Sequence, residues 1–524
     1  MLTTRHMDVI SMSAGEIAAC VSHGELSASA VTDAFIRRIE SVNPRLNAVV
    51  VPMFESARAE AAELDRLVAN GTPVGPLAGV PFTVKESFDV QGTPTTAGLT
   101  ARRNHIAVAD SLMVRRLRES GGVLLGKTNV PPLLLSTETD NPLYGRTNNP
   151  WDLQRTPGGS SGGEGAIIAV KGSALGLGSD LGGSVRVPAN ACGIHALRPT
   201  SGRLSMLGHF DFRQGHEEVL AQPGPLARSV ADLSLAMSVL AAPGQDSYDV
   251  TIPHVPWKEP TGVPVLQLRI AYFTDNGIFS PCPAIRRAVE DAASVLAGMG
   301  THVEEWHGPS LEEAWDVCVR LLVADGMRSA RRALAGSTVG PLTRDVVSPA
   351  LLPRGIIAPM SWLLAVFGQK HAAQGFARLR KLSADQYFRL VQRRNDFRDR
   401  FLAALEAGRI DALLCPADAL AAVPHGSSRF LGNTLSYTAV FSLLGMPAGV
   451  VSITRVRNSE ESARPKSFDV AERTAQAAER GSAGLPVGAQ VLARHWREDV
   501  VLAVMAALEN YYRHTPEYPA EPSL

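Results

Sequence analysis

The sequence predicts a mixed α/β fold, and three observations carry that prediction. Segments with helical spacing alternate with short β-branched runs along the chain. Hydrophobic residues make up 45% of the 524 positions, enough to bury a large core. The 46 glycines and 35 prolines suit a folded enzyme with many turns rather than a disordered or fibrous chain.

Taken in order, Ser13 with Glu16 three residues on forms a capping-box pattern, and Ile17, Val21, Val31, Phe35 and Ile39 recur with helical spacing around a break near Gly24. Two helices are therefore expected within 13–42. The Ala- and Glu-rich stretch 53–70 predicts another helix. In GVPFTVKESFDV, 79–90, a short β-branched run begins beside Pro81 and places Lys85 at the end of a strand. SLMVRRLRESGGVLLGKTNV reads as helix, glycine break and strand. The chain is glycine-rich from Gly158 to Gly202, and alternation then resumes with a helix near 229–242 and a strand near 268–275. The polar stretch 457–482 reads as a loop with one short helix, and the segment beginning GLPVGAQVL as strand then helix. No internal repeat is present.

Composition excludes several functions. Fifty-one Lys plus Arg balance fifty-one Asp plus Glu, so no net field draws in nucleic acid. Cys20, Cys192, Cys282, Cys318 and Cys415 lie far apart without a CxxC pair, which predicts reduced, mostly buried thiols rather than a zinc cluster or disulfide framework. None of the thirteen histidines forms an HExxH pair, so neither metal nor other cofactor is expected. The N-terminal twenty residues lack a continuous apolar run, which predicts a cytoplasmic protein without a signal or anchor.

Three glycine motifs compete for the chemistry. GGVLLGKT at 121–128 fits the phosphate-cradling pattern, but such a loop follows a strand and opens a helix, whereas here the apolar residues lie inside the motif and Pro131-Pro132 follow. GGSSG at 158–162 fits the nucleophile elbow of α/β-hydrolases, yet the polar WDLQRTP precedes it where a buried strand is required; a tight turn is the plainer reading. In GLGSDLGGSVRVPA at 176–189, the backbone N–H groups of Leu181, Gly182, Gly183 and Ser184 are placed to converge on a developing negative oxygen.

Together, Lys85 in GVPFTVKE, the serine pair in PGGSSGGEGA and Ser184 in GSDLGGSVRVPA resemble the amidase signature family, and their spacing is similar to its fatty acid amide hydrolase branch. The resemblance extends to SAGEIAACVSHGELSAS, NPRLNAVV, GKTN, SYTAVFSLLGMPAGVV and GLPVGAQVL. It implies one domain over 1–524, with a central mixed, twisted β-sheet covered by helices on both faces, and a homodimer. It also implies a Ser-Ser-Lys triad: Ser184 as nucleophile, Ser160 as proton relay and Lys85 as base, with a cis peptide at the relay serine. Asp180, Arg186 and Ser161 match family positions that support the reacting groups. An exposed lysine is a poor base at neutral pH, but burial disfavours the ammonium form and lowers its pKa.

The segment 346–384 contains no Asp or Glu, and IIAPMSWLLAVF at 356–367 is strongly apolar but too short to span a bilayer. Trp362 and Phe367, followed by Lys370, Arg378, Arg380 and Lys381, give it the character of an interfacial segment. It resembles the membrane-facing cap of fatty acid amide hydrolases, which implies a cap over about 340–400, peripheral membrane contact and fatty acid amides as substrates. The alternatives are that the helix packs in the core or at a dimer interface, and that the enzyme takes small aromatic, aliphatic or peptide amides. A glutamine-hydrolysing amidotransferase subunit fits the apolar segment poorly, and the three reacting side chains speak against a silent binding protein.

Overall fold

Ser13 accepts the Glu16 N–H at 3.1 Å, and the Glu16 carboxylate accepts the Ser13 N–H at 2.8 Å, closing the capping box that opens helix Ala14–Ser22. The chain turns at Gly24 with φ 71° and re-enters a helix at Ala28–Leu46, whose Val31, Phe35, Ile36 and Ile39 are buried along one face. The computed structural model describes residues 8–524 apart from Gln214, Pro353 and Ser462.

Among the described residues the strands are β1 (Val49–Pro52), β2 (Pro81–Lys85), β3 (Val123–Thr128), β4 (Asp140–Asn141), β5 (Gly145–Arg146), β6 (Leu175–Asp180) and β7 (His195–Arg198). They continue with β8 (Gln222–Ala227), β9 (Arg269–Tyr272), β10 (His302–Glu305), β11 (Ala412–Pro416), β12 (Ala448–Arg455) and β13 (Pro486–Ala493). Strands β4 and β5 pair with each other. The other eleven form one mixed sheet in the order β1-β3-β2-β6-β8-β7-β12-β13-β11-β9-β10, flanked by helices. The central strands β2, β3, β6, β8, β12 and β13 are buried almost throughout, which is why Val84, Leu124, Leu177, Val450 and Val491 fall in near-continuous apolar runs.

One feature of this topology positions the site. Strand β2 runs parallel to both β3 and β6, so the three strands end at the same edge of the sheet. Lys85 is the last residue of β2, Thr128 of β3 and Asp180 of β6. Polar side chains from distant parts of the chain are thereby delivered to one place.

The phosphate-loop pattern lies within this frame: Gly126, Lys127 and Thr128 are inside β3, and Lys127 is buried, donating to the Pro94 carbonyl and to Thr95 Oγ1. The element that follows is only a one-turn 3-10 helix, Pro132–Leu134, separated from the motif by Asn129–Pro131, so no α-helix opens on the motif to receive an anion. The five cysteines are free thiols, and all but the half-buried Cys20 are buried.

Between 340 and 400 the described α-helices are Pro341–Val347, Arg354–Val366 and Lys370–Arg378, leading into Ala384–Ala407, with a 3-10 turn at Ser348–Leu351. Ile357 faces inward at 2% exposure, but Trp362 and Phe367 are 68% and 67% exposed, which rules out the core-packed reading within this chain. Arg378 departs from the expected basic flank: it is buried and its Nε pairs with Asp316 Oδ1 at 3.3 Å, because a charge turned inward needs a counter-ion. Lys370, Arg380 and Lys381 are exposed. Phe468, from the polar stretch 457–482, is 87% exposed and joins the same face, where Gln369 Nε2 donates to its carbonyl at 2.8 Å. No helix among the described residues is long and apolar enough to cross a membrane.

Candidate active site

Lys85 is fully buried where β2 ends. Burying an amine is costly unless hydrogen bonds replace water. Lys85 Nζ lies 2.7 Å from Ser160 Oγ, 3.0 Å from Ser179 Oγ and 3.1 Å from the Ser179 carbonyl oxygen. Burial pulls its pKa down to about 7, against the opposing pull of the Asp180 and Glu164 carboxyl groups. A lysine that is neutral in a large fraction of molecules near neutral pH can accept a proton.

Ser160 belongs to the turn between Pro157 and helix Gly162–Ala169, and the Gly159–Ser160 peptide is cis. Glycine is required at 158, where φ is 84° and a Cβ would meet Pro188 Cα at 2.9 Å. Ser161 donates its backbone N–H to the Ser184 carbonyl at 3.1 Å, pinning the two serine-bearing turns together. Its hydroxyl reaches the Ser179 carbonyl at 3.4 Å.

Ser184 sits half-buried between the end of β6 and helix Arg186–Cys192. Thr438 Oγ1 donates to the Gly182 carbonyl at 2.6 Å and fixes this loop from the far side. The Gly183 N–H, one of the four donors expected to face a ligand, is turned instead to Asp180 Oδ1 at 2.7 Å. The reason is that Asp180 is fully buried and a buried carboxylate recruits the donors around it. The N–H groups of Leu181, Gly182 and Ser184 donate to no protein acceptor among the described residues.

Asp180 also accepts from Val185 N at 3.2 Å and takes Arg186 in a fork, Nε to Oδ2 and Nη2 to Oδ1, both at 2.9 Å. Burial would raise its pKa, but Arg186, Arg198 and the Gly183 N–H hold it down at about 2. Arg186, equally buried, spends its remaining protons on the Thr438 carbonyl, Gln490 Oε1 and Ser442 Oγ. The ion pair thus ties the loop carrying Ser184 to β13 and to helix Ser436–Leu444.

Several polar residues here escaped the sequence reading. Glu164, on the first turn of helix Gly162–Ala169, accepts from Thr83 Oγ1 and Thr128 Oγ1, each at 2.7 Å, and burial pushes its pKa up to about 8. Its signal was a lone carboxylate in the Gly- and Ala-rich GGEGAIIA. Ser179 carries two of the Lys85 contacts. His209 Nε2 lies 2.9 Å from Ser179 Oγ and 2.9 Å from Ser87 Oγ; no spacing in the sequence announces it, since only the bridge between Phe88 and His209 brings it here.

The arrangement can hold a neutral amine against one hydroxyl away from bulk water, and leaves backbone N–H groups without a protein acceptor beside a second hydroxyl. A family model described as Amidase matches residues 30–502. The chain is 32% identical over 496 residues to fatty-acid amide hydrolase 1 of Sus scrofa, covering 93% of this chain and 84% of the relative. It is 30% identical over 517 residues to an acetamidase of Aspergillus oryzae, covering 96% and 90%. A solved structure of a fatty acid amide hydrolase superposes with a TM-score of 0.85 at 27% identity, covering 97% of this chain and 86% of that one. With the family model spanning most of the sequence, the chain belongs to the amidase family of hydrolases.

Proposed function

We propose that the chain hydrolyses lipophilic amides, fatty acid amides foremost, through an acyl-enzyme on Ser184. Neutral Lys85 takes the Ser160 proton as Ser160 takes that of Ser184, and Ser184 Oγ attacks the amide carbonyl. The N–H groups of Leu181, Gly182 and Ser184 receive the oxyanion; one such donor is worth about 3 kcal/mol of barrier. The proton returns through Ser160 to the leaving nitrogen, the C–N bond breaks, and water then releases the carboxylic acid by the same route. Asp180, Arg186 and Ser161 hold these groups in place. The observation that carries the reading is the 2.7 Å approach of the fully buried Lys85 amine to Ser160 Oγ.

The preference for long acyl chains rests on the exposed apolar face of Trp362, Leu363, Val366, Phe367 and Phe468 beside the exposed Lys370. An apolar patch next to a cation suits peripheral contact with a lipid surface. Sus scrofa fatty-acid amide hydrolase 1 supports the same substrate class by its name. We further read 1–524 as one domain with 340–400 as its cap, a cytoplasmic homodimer with no metal or cofactor. A second reading, an amidase for small amides, is favoured by the similarity to the Aspergillus oryzae acetamidase.

The test is turnover of primary amides and anilides with acyl chains from about two to eighteen carbons, by wild type and Ser184→Ala. Rates that rise with chain length and vanish in the variant support the reading. Faster turnover of short chains leaves the triad standing and removes the lipid assignment, while an active Ser184→Ala removes the triad.

A further inference from the structure

Lys85 has two hydroxyl neighbours, Ser160 Oγ at 2.7 Å and Ser179 Oγ at 3.0 Å, and only one of them lies on the route to Ser184. A neutral amine carries two protons and one lone pair. To act as base on Ser160 its lone pair must face Ser160, and both its protons must then go to the Ser179 residue. The Ser179 carbonyl at 3.1 Å accepts one, since a carbonyl can only accept. The other goes to Ser179 Oγ. That hydroxyl then needs an acceptor for its own proton, and the group on its far side is His209 Nε2, at 2.9 Å.

The two neutral tautomers of His209 therefore have opposite consequences. With the proton on Nδ1, Nε2 offers a lone pair, Ser179 donates into it, and the Lys85 lone pair is left for Ser160. With the proton on Nε2, the imidazole donates to Ser179 Oγ, Ser179 turns its proton to the lysine lone pair, and Lys85 presents N–H to Ser160. The second polarity disables the base without moving a heavy atom. Nδ1 is buried and has no hydrogen-bond partner among the described residues, while the Phe210 backbone favours a proton on the ring. Burial, and then the charge of Lys85, hold the imidazole neutral, its pKa down at about 3, so the tautomer alone matters. Ser87 Oγ lies at 2.9 Å on the same nitrogen and competes for its single lone pair. Edge contact with Phe88, ring centroids 4.6 Å apart, fixes the plane of the imidazole.

We propose that His209, acting through Ser179, is a positioning residue that sets the direction of the hydrogen bonds around Lys85 and so aims the lysine lone pair at Ser160. The inference rests on the assignment of Lys85 as base and Ser160 as relay.

The experiment is a double-mutant cycle on kcat/KM for an anilide substrate, with Ser184→Ala run alongside. His209→Phe fills the ring's space but accepts nothing, and lowers kcat/KM by about tenfold or more, the scale of one misdirected hydrogen bond to a buried base. His209→Gln supplies an amide oxygen as acceptor and recovers most of that loss. In a Ser179→Ala background, His209→Phe has no further effect, because the hydroxyl it orients is gone. Equal losses with and without Ser179, or a Gln variant as poor as Phe at the same melting temperature, overturn the proposal. So does a protonated Nε2 for His209 in the ¹⁵N spectrum of the wild-type enzyme, assigned by difference from His209→Gln, a readout that does not depend on the Phe variant folding. An active Ser184→Ala overturns the triad and this inference together; an inactive one with an additive cycle overturns this inference alone.

Discussion

The end of β2 and the helical hairpin Arg354–Arg378 are opposite solutions to the placement of side chains. At the strand end, Lys85, Asp180 and Arg186 are charged or titratable and fully buried, each satisfied by two or more named partners. On the hairpin, Trp362, Val366 and Phe367 are apolar and open to solvent. The first region is held by specific hydrogen bonds, so removing one group strands others. The second is held through a few inward residues such as Ile357, which leaves its outer face free to change. Polar burial and apolar exposure both run against the ordinary distribution, and in an enzyme each points to work done on another molecule.

The contrast is broken most severely at Lys85. On the proposed mechanism Lys85→Met should lower kcat about 10⁴-fold with the fold retained, since general base catalysis is worth about 10²–10⁴ and Ser160 would lose its proton acceptor with it. Steady-state turnover, with circular dichroism as control, decides this; a loss below tenfold would mean that the lysine is structural. Next comes the ion pair. Arg186→Met leaves Asp180 charged and buried, and should cost about 3–5 kcal/mol in urea unfolding, far more than any truncation on the hairpin's outer face.

The pH dependence sharpens the same point. With Lys85 near 7, kcat/KM should rise as pH increases through about 7, because the proposed mechanism uses the deprotonated amine. Glu164 raises the lysine's pKa, so Glu164→Gln should move this limb to lower pH. The displacement should be small, since burial pushes Glu164 itself up to about 8 and keeps it largely protonated where Lys85 titrates. A limb moving to higher pH would contradict the arrangement. The smallest effect on stability is expected from Trp362→Ala combined with Phe367→Ala, within about 0.5 kcal/mol because both side chains are exposed. The same pair should abolish flotation with anionic liposomes and spare turnover of a short anilide; liposome binding unchanged by the pair would separate the hairpin from any lipid surface.

The two regions also differ in how far the sequence reveals them. Lys85, Ser160 and Ser184 stand in short motifs whose glycines are demanded by close backbone approach, as at Gly158 against Pro188, so pattern and geometry coincide. The strand and helix alternation is legible for the same reason: each element's period reflects the face it buries. Ser179, Glu164 and His209 are not legible as site residues, since what recruits them is the parallel pairing of β2 with β6 and a bridge from Phe88 to His209, relations between distant segments. The Gly183 N–H turns to Asp180 rather than to a ligand, because a motif shows that a donor exists without showing which acceptor claims it. On the hairpin, composition revealed the apolar character, but neither Arg378, which turns inward to Asp316, nor Phe468, which arrives from another segment, could be placed by composition.

The parallel registry of β2 has a consequence for insertions and deletions. Phe82, Thr83 and Val84 are paired on both sides, to β3 and to β6, and side chains alternate faces along a strand. A one-residue deletion between Pro81 and Lys85 would either pull the lysine short of Ser160 or rotate it to the opposite face, since the residues before it are held by pairing on both sides. A deletion scan should therefore find an intolerant window at 81–85 and a tolerant one near Gly340, a half-buried loop position where a Cβ would meet nothing. Natural length variation in this enzyme's lineage should collect in that second window, letting the outer face be rebuilt while the distance from Lys85 to Ser160 stays constant.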